Sequence, residues 1–189
     1  MSKTLDLGSG PKPKNPFNAD EVFGVDLGSR PDINANIVAA DLVLGPIPFE
    51  AETFDFVTAY DFIEHIPRVI YMPERRQPFI ELMNEIYRVL KMGGHFLSHT
   101  PAFPNGAAFV DPTHVNIITE GTFPLYFGDN RPDCPWAAMY GFVGSFRMVS
   151  QEWQGPHLMS VMQKIPRRNV LNLPDTAPAT DAPGAAPAP

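Results

Sequence analysis

Apolar residues fall along this chain in short, regularly spaced runs, each closed by a polar or turn-forming residue. Residues 3–7, 22–25 and 37–40 each read as a strand, the last closing on Asp41. Residues 54–60 are mostly apolar, as in a strand covered on both faces, and they run into Asp61. A proline-broken, locally basic loop follows at 67–78. Phe79, Ile80, Leu82, Met83, Ile86, Val89 and Leu90 then recur at helical spacing, and Gly93-Gly94 are expected to end that helix. Residues 95–99 read as a fifth strand, while 145–153 and 157–165 form a hairpin turning at Gln154-Gly155-Pro156. Strands alternating with crossovers imply an α/β, Rossmann-like, mostly parallel sheet, to which the hairpin adds a C-terminal antiparallel finish.

The first strand runs into a glycine turn, Leu5-Asp6-Leu7-Gly8-Ser9-Gly10, and the second ends on Asp26. Glycine lets the backbone turn tightly and come close to a ligand, and an acid after the second strand stands where ribose hydroxyls can donate to it. The pair marks a nucleoside-bearing cofactor. A dinucleotide needs a third glycine and a helix N-terminus against its pyrophosphate. Here Gly10 is followed by Pro11-Lys12-Pro13-Lys14-Asn15-Pro16, which leaves little room for such a helix. S-adenosylmethionine carries adenosine and ribose without a phosphate. The broken fingerprint therefore favours it and disfavours a nicotinamide oxidoreductase.

Composition narrows the classes further. The 189 residues, 44% of them hydrophobic, suffice for one core, expected over 1–173. Beyond Leu173 the chain is almost entirely Ala, Pro, Asp and Thr, so 174–189 read as a disordered tail. A net charge of −7 argues against a dedicated nucleic-acid surface. The single cysteine, Cys134, excludes an internal disulfide framework and a cysteine-only metal cluster, and fits a reducing cytoplasm. No run approaches the roughly 20 apolar residues of a membrane span, and Met-Ser-Lys leads straight into the first strand without a signal peptide, so a soluble cytoplasmic protein is expected.

The ordered set Asp6-Leu7-Gly8-Ser9-Gly10-Pro11, Gly24-Val25-Asp26, Ala40-Asp41-Leu42, Pro48-Phe49 through Val57, Asp61-Phe62-Ile63-Glu64-His65 and Tyr87 through Gly94 resembles the class I S-adenosylmethionine-dependent methyltransferases, particularly the small type 11 group. The resemblance spans roughly residues 4 to 100 and continues weakly through Asp111-Pro112-Thr113-His114 and the hairpin. It implies that Asp6, Gly8 and Gly10 line the methionine end of the cofactor, with Leu7 and Ser9 between them. Asp26, followed by Leu27, takes the ribose, Asp41 and Leu42 take the adenine, and Tyr60-Asp61 lie below the sulfonium. Two departures stand out. Lys12 occupies the third glycine position, and the link from Gly10 to Val22 is too short for a long crossover helix, so the methionine side is expected to be less enclosed. The chain also begins at the first strand, without the N-terminal helices that form a lid in larger relatives, which leaves acceptor specificity to 67–78 and 101–144.

Three residues are candidates for a general base: His114 on the loop after the fifth strand, Asp61 and His65. Against the catalytic reading, His65 also suits a packed or capping histidine, and His99, inside a strand, suits the core. No Cys-x-x-Cys, His-Glu-x-x-His or nucleophile elbow occurs, so no metal site or covalent mechanism is expected. Tyr60-Asp61-Phe62-Ile63 is also unlike the Asn/Asp-Pro-Pro-Tyr/Phe signature of DNA amino-methyltransferases. The expected activity is methyl transfer to an oxygen or nitrogen of a small-molecule acceptor, with a protein or RNA acceptor left open. The acceptor is expected between 60–65 and 111–114, with Phe123, Tyr126, Phe127 and Trp136 available either as apolar pocket walls or as core. The competing reading is a non-catalytic S-adenosylmethionine-binding scaffold or regulatory protein. The sequence is silent on oligomeric state.

Overall fold

The computed structural model describes residues 1–28, 36–129 and 136–167. Its strands are β1 (Lys3–Leu7), β2 (Glu21–Asp26), β3 (Ile37–Ala39), β4 (Phe54–Tyr60), β5 (Leu90–Pro101), β6 (Phe146–Gln154) and β7 (His157–Lys164). Two α-helices are described, α1 (Pro78–Val89) and α2 (Thr122–Tyr126). The strands form one sheet in the order β3-β2-β1-β4-β5-β7-β6. The first five are parallel, and β7 joins β5 and β6 antiparallel. The order reverses at β1, so ligands are accommodated beyond the carboxyl ends of β1, β2 and β4. The expected tail at 174–189 lies outside the described residues.

Apolar side chains of β1, β4, β5 and α1 make the core. Leu5, Leu7, Phe54, Val57, Phe96, Met83, Ile86 and Val89 are all fully buried, at about 1.5–3 kcal/mol for each large side chain. Helix α1 starts with Pro78 in its first turn, where the missing N–H is harmless, and Glu81 accepts from the Gln77 N–H while pairing with Arg76. Arg88, near the helix end, donates to the Phe49 and Ile47 carbonyls and pins the 47–49 segment to α1.

Sequence pattern and structure part at the end of this helix. The expected stop was Gly93-Gly94, yet α1 ends at Val89, and Leu90 is already extended with ψ 139°. Leu90 pairs with Phe54, whereas Phe56 pairs with His95, so Lys91 to Gly94 bulge out of the ladder. The bulge needs both glycines. Gly93 has φ +81°, and a Cβ on Gly94 would lie 2.9 Å from the Asp55 and Lys91 carbonyl oxygens. The glycine pair thus shapes a strand rather than capping a helix. The fifth strand is longer at both ends than the 95–99 expected, and β3 stops at Ala39.

The short link between β1 and β2 contains no helix. It is held instead by side chains: Phe17 stacks flat on Phe56 of β4 at 4.4 Å, and Asn15 exchanges two hydrogen bonds with the Ala19 backbone. At the far edge, Gln154 pairs with His157 across the two-residue turn Gly155-Pro156, with Gly155 at φ +62°.

Candidate functional site

The glycine turn sits over the end of β2, where the Gly8 and Ser9 N–H groups both donate to the Val25 carbonyl. Gly8 and Gly10 have φ of +65° and +56°, a region in which glycine is unstrained. Their surroundings differ. A Cβ on Gly8 would stand 2.5 Å from the Phe62 ring, while one on Gly10 would meet nothing within 4 Å. Gly8 is needed for packing, and Gly10 faces open space. Gly24 belongs to the same device, because a Cβ there would come within 2.4 Å of the Ser9 hydroxyl and 2.8 Å of Pro13.

Asp26 is half-buried, and its two carboxylate oxygens accept the Gly10 and Gly28 N–H groups at 2.9 and 3.0 Å. This fixes the carboxylate at the strand end with lone pairs to spare. Leu27, beside it, is exposed. Asp6 is buried, accepting from Thr58 Oγ1 at 2.7 Å and from the Lys14 N–H at 2.8 Å. Burial pushes its carboxyl above the usual carboxylate range, opposed by those two bonds and by the charge of Lys14. Asp6 therefore holds the glycine loop to β4 from beneath.

Asp41 turns its Oδ1 to the Val43 N–H, and its carbonyl accepts from Leu44 and Gly45. It caps its own turn. The Leu42 side chain lies in the core.

Beyond β4 the backbone reverses at Asp61, φ +48°, whose N–H donates to the His99 carbonyl. Asp61 Oδ1 is 2.8 Å from His157 Nε2. His157 stacks on His99 at 4.4 Å, His99 neighbours Tyr60 at 5.2 Å, and Lys14 Nζ lies 4.1 Å from the Tyr60 ring centre. Burial, reinforced by His157, holds the His99 imidazole below its ordinary pKa. Burial and the nearby Asp6 raise the Tyr60 phenol above its own.

The chain then forms a 3-10 turn, Ile63–His65. The Glu64 carbonyl accepts from the Val115 and Asn116 N–H groups, both at 2.9 Å, and Asn116 Nδ2 donates to the Ile63 carbonyl. The 60–65 segment and the loop carrying His114 are thereby fastened together. His65 and His114 meet edge to face with ring centres 4.9 Å apart. His65 Nδ1 contacts Thr113 Oγ1 at 3.0 Å, and Asp111 accepts from that hydroxyl at 2.6 Å. Glu64 is buried, and Thr100 Oγ1 donates to its Oε2 at 2.7 Å. Burial raises the Glu64 carboxyl. Glu64, His157, Thr113 and Gly24 were given no chemical role in the sequence reading, and His99, there a core candidate, is half-buried. Glu64 stands in Asp61-Phe62-Ile63-Glu64-His65, while His157 reaches Asp61 only through the antiparallel hairpin.

Of the aromatics considered as pocket walls, Phe123 and Phe127 are buried in the core, and Phe127 also lines a cavity. Residues beyond His114 on the same loop, Ile117 and Thr119, line this cavity of about 500 Å³ with Arg68, Phe79, Leu125 and Tyr126. Trp136 packs edge-on against Tyr126.

Residues 5–98 match a family described as a methyltransferase domain. The YcgJ protein of Bacillus subtilis has a similar structure, with a TM-score of 0.56 and 13% identity over 89% of this chain and 93% of that one. A SAM-dependent methyltransferase of Archaeoglobus fulgidus gives 0.54 and 16% over 87% and 86%. The [4+2]-cyclase SpnF gives 0.55 and 13% over 87% and 74%. No curated protein matches the sequence. Sheet order and glycine turn together define a class I methyltransferase fold, and since a cyclase shares that fold, the family match carries the activity. The chain belongs to the type 11 methyltransferases, and its cofactor is S-adenosylmethionine. No described helix is long and apolar enough to cross a membrane.

Proposed function

We propose that the enzyme methylates an oxygen or nitrogen of a small-molecule acceptor received between residues 60–65 and 111–114. The cofactor would lie along the carboxyl ends of β1, β2 and β4. Asp26 would take the ribose hydroxyls, Gly8 to Gly10 the methionine end, and Asp41 with the Leu42 backbone the adenine. The open space at Gly10 and the fixed carboxylate of Asp26 fit that ligand. Bound S-adenosylmethionine supplies a methyl group already activated on a sulfonium.

What remains for the chain is alignment, exclusion of water and, for an acceptor that must lose a proton, a base. Alignment alone is worth several kcal/mol, up to about 7–11 where reacting atoms are well oriented. His114, His65 and Asp61 are the candidate bases, Asp61 on the same segment as His65 and held by His157. The observation that carries the reading is the union of the two segments through Glu64, Val115 and Asn116 beside the end of β4. A cavity of about 500 Å³ farther along the His114 loop, lined by none of the residues 60–65 or 111–114, is large enough for a small molecule. The single cysteine fits the cytoplasm as its compartment.

The test is transfer of a labelled methyl group to a metabolite extract, followed by His114→Ala on the acceptor found. A base at His114 requires turnover to fall about 100-fold or more with cofactor affinity nearly unchanged. Intact turnover with lowered stability would make His114 structural.

A further inference from the structure

Two clusters of histidine and carboxylate stand at this edge of the sheet, Asp61 with His99 and His157, and Glu64 with His65 and His114. In each, one ligand atom per residue lies within 4.8 Å of the other two. Their ring geometry separates them. An imidazole lone pair lies in its ring plane, so two rings can serve one ion only where their planes meet. His99 and His157 are nearly parallel, at 11° and 4.4 Å, and share no such line. Their carboxylate is already engaged by His157 Nε2. His65 and His114 are inclined at 75°, and their planes intersect close to both rings.

Proton positions at the second cluster follow from its partners. The Asp111 carboxylate only accepts, so the single hydroxyl proton of Thr113 is committed to it, and Thr113 Oγ1 must receive a proton from His65 Nδ1. The Ala108 carbonyl, 3.3 Å from His114 Nδ1, likewise only accepts. With Nδ1 donating in each ring, the lone pair of the neutral imidazole falls on Nε2, which in His114 also lies 4.0 Å from Asp111 Oδ2. This is the arrangement in which a partner on one ring nitrogen orients the other toward a metal. The third member supplies the independent sign of a ligand. Glu64 is 1% exposed, and its Oε1 is buried without a hydrogen-bond partner while Oε2 holds Thr100. A buried carboxylate oxygen with nothing to bind is costly unless something occupies that position.

We propose that Glu64, His65 and His114 bind one divalent transition-metal ion, zinc or cobalt in character, through one carboxylate oxygen and two Nε2 atoms. Two imidazoles and a carboxylate suit such ions and leave coordination positions for water or another oxygen. Donors about 2.1 Å from a tetrahedral ion stand about 3.4 Å apart, so contacts within 4.8 Å close by roughly an ångström of side-chain movement. The ion would fasten the 3-10 turn to the loop after β5. It would also take the Nε2 lone pair that His65 or His114 needs to act as a base, leaving Asp61 as the candidate base while the ion is bound. No contiguous motif announces it, because the ligands come from two segments joined only in the fold.

The test uses chelator-treated, tag-free full chain titrated with Co²⁺ and followed by its visible d–d absorption, with melting temperatures measured in EDTA. One equivalent is expected to bind. Glu64→Gln and His114→Ala should each weaken it by at least about 100-fold, and Thr113→Ala, which loses the partner of His65 together with the hydroxyl bond to Asp111, by about 10- to 100-fold. His157→Ala should bind as the unaltered chain does. Should His114→Ala fail to fold, Glu64→Gln carries the test, because an amide keeps the shape and can still accept from Thr100. Absence of visible bands, or bands that survive Glu64→Gln or vanish in His157→Ala, would overturn the site.

Discussion

Replacing Asp26 by alanine removes two things at once. The carboxylate holds the Gly10 and Gly28 N–H groups, one on each oxygen, and it would receive the ribose hydroxyls. A hydrogen bond to a charged group contributes about 1.5–3 kcal/mol. Gly28 is exposed and Gly10 half-buried, so both N–H groups can turn to water when the acid is lost. The cost to folding should then be only about 1–2 kcal/mol, a drop of roughly 2–8 °C in melting temperature at this chain length. Water cannot replace the acid so readily once ribose covers the site. Affinity for S-adenosylhomocysteine should therefore fall roughly 10- to 150-fold. Isothermal titration calorimetry on the folded variant measures the binding, and thermal denaturation the stability. Asp26→Asn, which keeps one carbonyl acceptor without charge, should lie between. A folded Asp26→Ala chain with unchanged affinity would refute the ribose role and leave Asp26 a turn acceptor only.

Three further outcomes are expected. Gly10→Ala should lower S-adenosylhomocysteine affinity at a stability cost of only about 1 kcal/mol, since its Cβ enters open space, whereas Gly8→Ala should destabilise by more because it strikes Phe62; calorimetry and melting curves separate the two. Phe17→Ala should lose about 1–2 kcal/mol by denaturant titration, because it removes the stack on Phe56 that stands in for a crossover helix. The pKa of His99 is lowered in the fold by burial, then by His157, with Asp61 opposing and Lys14 adding. The unfolded chain then binds the proton more readily. The contribution of His99 is fully present above pH 6.5 and lost as pH falls below it. Melting temperatures at pH 7.5 and 5.5 should differ less in His99→Gln than in the unaltered chain, and an equal difference would remove His99 from the account.

What could be read beforehand followed the periodicities. Period-two and continuous apolar runs located all seven strands, and the helical spacing of Phe79 to Val89 located α1, because burial of one face is written locally. Gly8, Gly10 and Asp26 were legible for the same reason, as turn chemistry at strand ends. The helix stop was misread because glycine serves both a cap and a bulge, and only the pairing of Leu90 with Phe54 decides between them. Asp41 carried a nucleotide reading, but a side chain two residues from the Val43 N–H can also cap its own turn. The unions of Asp61 with His157 and of His65 with His114 had no local signature, since each depends on where β5, β7 and the intervening loop return.

A crystal structure of the chain with S-adenosylhomocysteine tests the central claim most directly. The account requires both ribose hydroxyls within hydrogen-bond distance of the Asp26 carboxylate and the methionine end against Gly8 to Gly10, with the sulfur facing Tyr60 and Asp61. Ligand density away from the ends of β1 and β2, or no density at saturating ligand, would contradict it.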